Sequence, residues 1–218
     1  MNWFTRTFSY SIGKKVISAL TGLFLILFLA VHLIGNIKLF VNDGGIAFNE
    51  HSHTMTQDPL IRVIEIFLFA SIIFHSIDGV ILALQNNKAR PIKYVAKRPS
   101  PGTKLSSRTM ILSGLIILFF ICIHLYTFFV PYRITGEVTD IYKAVEEAFA
   151  SPLYAGFYVF CMILLGLHLF HAFTSAFQTL GFRHPKYYPF IKALGSVIAI
   201  VYSVGFASMP IYFLFKNF

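Results

Sequence analysis

The chain has 218 residues, of which 56% are hydrophobic and only 12% charged, and its formal net charge is +9. With 25 Phe residues it is too apolar for an ordinary soluble domain, so most of its surface must face lipid. A positive charge of this size is typical of nucleic-acid-binding proteins, but the Lys and Arg residues are spread over short segments and form no single basic face. No nucleic-acid partner is therefore predicted.

Five apolar segments follow one another along the chain. They lie at about 16–37, 60–84, 109–130, 153–178 and 190–214. Each is apolar nearly all round and provides the roughly 20 helical residues that cross a bilayer core. None has the alternation expected of a barrel strand. The sequence therefore predicts an all-α integral membrane bundle of five transmembrane helices, with residues 1–218 as a single domain.

The basic residues are unequally divided between the two sides of such a bundle. The N-terminal segment, the 85–108 loop and the 178–192 loop share the side that holds 13 of the 18 basic residues: Arg6, Lys14, Lys15, Lys88, Arg90, Lys93, Lys97, Arg98, Lys104, Arg108, Arg183, Lys186 and Lys192. The positive-inside rule places this side, with the N-terminus, in the cytoplasm and the C-terminus outside. The 99–108 stretch is predicted to be a polar linker that offers a docking surface to a cytoplasmic partner.

The 131–152 loop is the longest segment on the predicted outer side. Its 140–150 portion is expected to form a short interfacial helix that carries Glu146 and Glu147. Nothing in this loop resembles a catalytic motif.

Histidines are unusually frequent inside the apolar segments, which contain His32, His75, His124, His168 and His171. Ionisable residues within a membrane are costly, so five of them invite a functional interpretation. Any one of them alone is equally well explained as a neutral side chain that bonds a neighbouring helix. Their depths distinguish the two interpretations.

Four of the histidines pair by depth. The first and third helices start inside, and His32 and His124 fall roughly 15 residues, or about 22 Å, along them, in the outer half. The second and fourth helices start outside, and His75 and His168 fall about as far along, in the inner half. Bis-histidine haem ligation requires two imidazoles at one level, facing each other across the macrocycle. The pattern predicts two haems b whose iron is bound by these four side chains.

His171 leaves the ligand of the fourth helix open, because it lies three residues after His168 on a similar face. Both residues can serve as a ligand. His168 matches the depth of His75 slightly better, and Ala172 follows it by four residues as Gly79 follows His75. Small residues at this spacing let a porphyrin approach the backbone. His168 is preferred, with His171 as the alternative or as a neighbouring hydrogen-bonding residue.

These features resemble the dihaem cytochrome b membrane anchor of succinate:quinone oxidoreductases, the family of succinate dehydrogenases and quinol:fumarate reductases. The resemblance covers residues 14 to about 181 and rests on the stretches 19–25, 32–36, 74–79, 123–126, 151–158 and 168–181. It implies that His75 and His168 bind the inner haem and that His32 and His124 bind the outer one. It also favours His168 over His171, because the family's ligand precedes the helix-ending glycine, here Gly181, by a fixed interval.

The resemblance further implies a place in the respiratory chain and the tricarboxylic acid cycle of a bacterium. A flavoprotein with FAD and an iron–sulfur protein would dock on the cytoplasmic face of the inner membrane, and this subunit would pass their electrons to a quinone, with menaquinone as the expected one. The chain itself has no flavin fingerprint and no cysteine set for a cluster. It is expected to reduce quinone but not to oxidise succinate.

A quinone site is expected at the outer haem, where the first outer loop holds Glu50, His51 and His53. The resemblance implies an acidic proton-transfer residue in this loop, so Glu50 is the first choice and His53 the second. An ordinary solvated loop explains each residue equally well. Some dihaem fumarate reductases have a Glu two residues before the fourth ligand, where this chain has Gly166. The difference favours succinate oxidation but leaves the direction open.

Three alternatives remain. The first is the anchor of a quinol:fumarate reductase working in reverse. The second is the b-type cytochrome subunit of another membrane oxidoreductase, such as a hydrogenase or formate dehydrogenase that docks its partner outside. The third alternative is a small transporter whose intramembrane histidines relay protons or bind metal.

Overall fold

The computed structural model describes residues 11–88 and 110–216, and this part of the chain is helical without a β-strand. Its α-helices are α1 (Ser11–Asn36), α2 (Ile46–Gln57), α3 (Pro59–Lys88), α4 (Met110–His124), α5 (Ile141–Phe149), α6 (Pro152–Thr179) and α7 (Tyr188–Lys216). Five spans are long and apolar enough to cross a membrane: α1, α3, α6, α7 and the stretch Met110–Ile134, in which α4 is continued by a further helical segment. The prediction of an all-α protein with five such helices is confirmed. The predicted 99–108 linker lies outside the described residues.

Two of these helices continue in a different geometry. A 3-10 turn, Ile37–Phe40, extends α1, and a π-helix, Leu125–Ile134, extends α4 beyond the predicted end at 130. Pro131 lies inside the π-helix and has no N–H to donate, which favours a departure from α-helical bonding. Thr135 N donates to Val130 O at 3.0 Å, and this hydrogen bond closes the wider turn.

Helix α2 occupies the segment that was predicted as the first outer loop. The chain reverses at Gly44 and Gly45, whose φ angles of 70° and 91° suit glycine. Asp43 then accepts hydrogen bonds from Gly45 N at 2.9 Å and Ala47 N at 2.8 Å, which satisfies backbone donors at the start of the helix. The Asp-Gly-Gly sequence therefore starts α2 rather than continuing a loop.

Helix α5 is the short helix predicted within 140–150, and its presence is confirmed. Its buried face consists of Ile141, Tyr142, Val145 and Phe149. Lys216 at the end of α7 donates to Glu146 Oε1 at 2.6 Å and to Tyr142 Oη at 3.0 Å. Helices α2 and α5 thus cover the same end of the bundle, which we call the α2–α5 end.

The long helices are packed unequally. Helices α6 and α7 approach closely: Ser203 Oγ donates to Met162 O at 2.7 Å, and Gly195 lies against the ring of Phe173. The residues of α3 whose burial is described are, in contrast, exposed or only partly buried. Side chains therefore fill the α6–α7 side, and a cavity remains between α1, α3, α4 and α6.

The side chain of Asp140 links α5 to α2, and its substitution tests this contact. Its Oδ1 accepts from Asn49 Nδ2 at 2.8 Å and from Lys143 N at 3.0 Å, so it caps α5. Asp140→Ala is expected to destabilise the protein by about 1 kcal/mol, the usual effect of losing such a cap. The midpoint of thermal unfolding in detergent measures this loss of stability, with Glu147→Ala on the exposed face of α5 as control. Equal midpoints for Asp140→Ala and the unaltered protein would contradict the capping role.

The same cap has a defined pH dependence. The hydrogen bond from Lys143 N, followed by that from Asn49, holds the pKa of Asp140 below its ordinary value of 3.8. Its stabilising contribution is therefore fully present above pH 3.8 and is lost as the pH falls through the lowered pKa. In Asp140→Asn, the thermal midpoint should lose this part of its acid sensitivity.

Candidate functional site

One large cavity lies among α1, α3, α4 and α6, with a volume of about 2170 Å³. All five histidines of the spanning helices line it: His32, His75, His124, His168 and His171. Pockets for single small ligands usually measure roughly 300–1,000 Å³, so this cavity has room for two sizeable ring systems. Its walls are otherwise largely Leu, Ile and Phe side chains.

His32 of α1 and His124 of α4 lie together near the α2–α5 end. Their ring centroids are 5.9 Å apart and their ring planes differ by 87°. Phe28 stacks on His32 at 5.3 Å, and Phe120 stacks on His124 at 5.8 Å. Both aromatic rings lie one turn before the histidine that they support, which limits the positions the imidazoles can take.

Polar neighbours orient both rings of this pair. Tyr158 Oη lies 3.3 Å from His124 Nδ1 and 3.1 Å from the hydroxyl of Tyr154. Asn36 Nδ2 donates to His32 O at 2.7 Å and lies 3.4 Å from His32 Nδ1. The polar contact of each imidazole is therefore on its Nδ1 side, which leaves Nε2 on the other side of the ring.

His75 of α3 is held by α1. Its Nδ1 lies 3.1 Å from Ser18 O and 3.4 Å from Thr21 Oγ1. Because a carbonyl oxygen can only accept, Nδ1 carries the proton in the bond to Ser18, and Nε2 keeps its lone pair. Gly22 makes this approach possible: a Cβ there would lie 3.0 Å from His75 Cε1.

His168 of α6 is held by α4 in a similar way. Its Nδ1 lies 3.3 Å from Ser113 Oγ, and its Cε1 would be 3.4 Å from a Cβ on Gly114. His171, three residues further along α6, lines the same cavity as His75 and His168. The choice between His168 and His171 as ligand stays a prediction.

The two pairs lie at different levels of the bundle. On α1, the residues that hold His75 precede His32 by 10 to 14 positions, or about 15–21 Å. On α4, the residues that hold His168 precede His124 by 10 or 11 positions, or about 15–17 Å. The separation is at least about half of the roughly 30 Å of a bilayer core.

The residues present fit haem better than a bare metal ion. Within residues 11–88 and 110–216 there is no group of three or more His, Cys, Asp or Glu side chains that could hold an ion. Haem iron, which the porphyrin already binds, would need only two further ligands from the protein, and a pair of histidines could supply them.

Small residues open space beside the histidines. Gly79, four residues after His75, has no atom within 4 Å of the position of a Cβ. Gly79 and Ala172 both line the cavity. A flat ring system could approach the backbone of α3 at this point without displacing a side chain.

The predicted quinone residues lie on α2 but away from the cavity. Glu50 and His53 are exposed, and neither lines the cavity. The inward face of α2 instead presents Phe48, His51 and Met55. The assignment of Glu50 and His53 to a quinone site stays a prediction, and the structure adds His51 as a residue that the sequence did not favour.

Sequence reasoning also missed the residues that hold the inner histidines. Ser18 with Gly22 on α1 and Ser113 with Gly114 on α4 were unremarkable small residues in apolar segments. One sequence feature could have indicated them: on each helix, the Ser and the Gly lie about three helical turns before a histidine of the same helix. The partner that such a set contacts depends on helix packing, which one sequence does not reveal.

Searches for similar proteins found no match to this chain among family models, curated proteins or solved structures. Its class therefore follows from the fold alone. Within the described residues, it is an all-helical protein with the five long apolar helices of a multi-pass membrane protein. Its distinguishing feature is a cavity lined by the five histidines of these helices.

Proposed function

We propose that this chain is the membrane-anchor cytochrome b subunit of a succinate dehydrogenase in the bacterial cytoplasmic membrane. In this proposal His75 and His168 bind one haem b, His32 and His124 bind another, and electrons from cytoplasmic flavoprotein and iron–sulfur subunits reach a membrane quinone, with menaquinone as the expected one. The observation that carries the proposal is the arrangement of the histidines in two levels around one cavity, each oriented through Nδ1.

The orientation of these rings suits metal binding. A histidine that binds a metal through one nitrogen usually gives its other N–H to a carbonyl or another polar group, which fixes the ring and its tautomer. Ser18 O has this role for His75, and the hydroxyls of Ser113 and Tyr158 are placed for it at His168 and His124. When bound, haem would supply one-electron transfer, which none of these side chains provides.

The position of Gly166 supports succinate oxidation as the direction. A Cβ at Gly166 would lie 2.9 Å from Ser203 Oγ, at the close contact between α6 and α7. A Glu side chain at this position, as in some fumarate reductases, would displace Ser203, whose hydroxyl donates to Met162 O. A quinol:fumarate reductase anchor remains the second candidate, since the same haem ligands would serve both directions.

The spectrum of the purified chain tests haem binding directly. We expect a b-type α-band in the reduced-minus-oxidised spectrum and two haems b per chain in a pyridine haemochrome assay. The absence of a b-type band would overturn the proposal and favour the histidine-containing transporter. A band at one haem per chain would contradict the two-level arrangement.

Purification in mild detergent tests the partners and the substrate. We expect a flavoprotein and an iron–sulfur protein to copurify and the complex to reduce a menaquinone analogue when succinate is added. Copurification of a hydrogenase or formate dehydrogenase instead would identify a different b-type subunit. Faster fumarate reduction by quinol than succinate oxidation would support the reverse direction.

A further inference from the structure

We propose that a quinone ring binds at the α2–α5 end of the cavity with the imidazole of His51 hydrogen-bonded to one of its carbonyl oxygens. This inference rests on the proposed function, because it locates the quinone site of that cytochrome. It assigns the polar contact to the inward face of α2 rather than to Glu50 or His53.

The first argument is the position of His51. The ring lies against α1 at Gly35, where a Cβ would be 2.8 Å from His51 Nε2, so the absence of a side chain permits the contact. Gly35 lies three residues beyond His32, which is about 5 Å along the helix axis. His51 therefore lies about one helical turn from the His32–His124 pair, at the edge of the region proposed for the outer haem.

The second argument is the shape and polarity of this end of the cavity. Phe48 and Met55 provide apolar contacts on either side of His51 along the inward face of α2. Tyr132 of the π-helix lines the same cavity, and Arg133 beside it donates to Thr56 O of α2 at 2.8 Å. This contact holds the π-helix beside α2, so the cavity wall at this end combines the apolar Phe48 and Met55 with the polar His51 and Tyr132. Apolar walls with a few polar groups are typical of small-molecule sites.

The third argument is that His51 is available to a ligand. Ser52 Oγ donates to Phe48 O at 2.8 Å, and Asn36 Nδ2 donates to His32 O at 2.7 Å. Glu65, which also lines the cavity, forms ion pairs with Arg62 and Arg133. The imidazole of His51, by comparison, has no hydrogen-bond partner in the part of the chain that the structure describes.

The electrostatic surroundings of His51 agree with this role. Burial, and then the nearby ammonium group of Lys38, lowers the pKa of His51 below its ordinary value of 6.5. The ring is therefore neutral at pH 7, with one N–H to donate and one lone pair to accept. A neutral donor beside apolar side chains suits a carbonyl oxygen better than an anionic group.

The test measures binding of menadione, a naphthoquinone, to the full chain in detergent by equilibrium dialysis. His51→Ala is expected to raise the dissociation constant about tenfold, the effect of losing one hydrogen bond. His51→Gln, which keeps a donor, should recover part of the affinity. Thr54→Ala changes the exposed face of the same helix and serves as the matched control.

The outcomes separate this inference from the proposed function. If His51→Ala binds menadione as tightly as the unaltered chain, or if only Glu50→Gln or His53→Ala weakens binding, the inference is overturned. If His51→Ala lowers the thermal midpoint, His51→Leu replaces it, because it retains the side-chain volume and removes the hydrogen bond. The b-type spectrum of the same samples reports on the proposed function, so either can fail without the other.

Discussion

Replacing His75 or His168 by Ala is expected to remove the same single haem, and replacing His32 or His124 should remove the other. Each variant should therefore retain one of two haems b per chain. The physical reason is that the two pairs lie about 15–20 Å apart along α1 and α4, so loss of one ligand leaves the other level intact. Haem content together with a redox titration of the α-band identifies which haem is lost.

His171→Ala is the informative comparison for this experiment. His171 lines the cavity beside His168, and we expect this variant to keep both haems with at most a shifted potential. Loss of a haem in His171→Ala but not in His168→Ala would reverse the assignment on α6. Loss of both haems from any single variant would mean that the two levels depend on each other, contrary to the geometry described above.

The fold could be predicted to a large extent because lipid imposes a simple requirement. A helix that crosses a bilayer needs about 20 apolar residues, so the five long helices are visible in the composition of successive segments. The depths of the histidines follow from the rise per residue in the same way. In the structure, the ring centroids of His32 and His124 are accordingly 5.9 Å apart.

Helix α2 was missed because its signals resemble those of a loop. Its residues are largely polar, and Gly44 and Gly45 lie immediately before it. The Asp43 side chain, which bonds two backbone N–H groups, turns this sequence into a helix start. Which face of α2 meets the cavity depends on how the 37–45 turn folds back over α1. The sequence therefore favours Glu50 and His53, although His51 is the residue of this group that lines the cavity.

The residues that support the inner histidines could not be found for a similar reason. Ser18 and Gly22 contact His75 across a helix interface, at a sequence distance of more than 50 residues. Periodicity gives the face of a helix but not its rotation against a neighbour. Small residues in membrane helices also serve ordinary packing, so their presence alone does not identify a ligand's support.

Gly22→Val is expected to cost the proposed inner haem although it alters none of the proposed ligands. A Cβ at this position lies 3.0 Å from His75 Cε1, so even Ala requires the imidazole to shift by a few tenths of an ångström. The additional methyl groups of Val would occupy space that the ring now fills and separate His75 Nδ1 from Ser18 O. The outer haem should remain, because His32 and His124 do not contact this region. Haem content and the α-band titration again report the result.

The comparison variants give this prediction a graded form. Gly114→Ala, whose Cβ would lie 3.4 Å from His168 Cε1, makes only an ordinary contact and should perturb the inner haem less than Gly22→Ala. Gly156→Ala on the exposed face of α6, with no atom within 4 Å, controls for the loss of a helical glycine. If Gly22→Val kept both haems with unchanged potentials, His75 could not be held at Ser18 and Gly22 while it binds haem, and α3 would have to pack differently against α1.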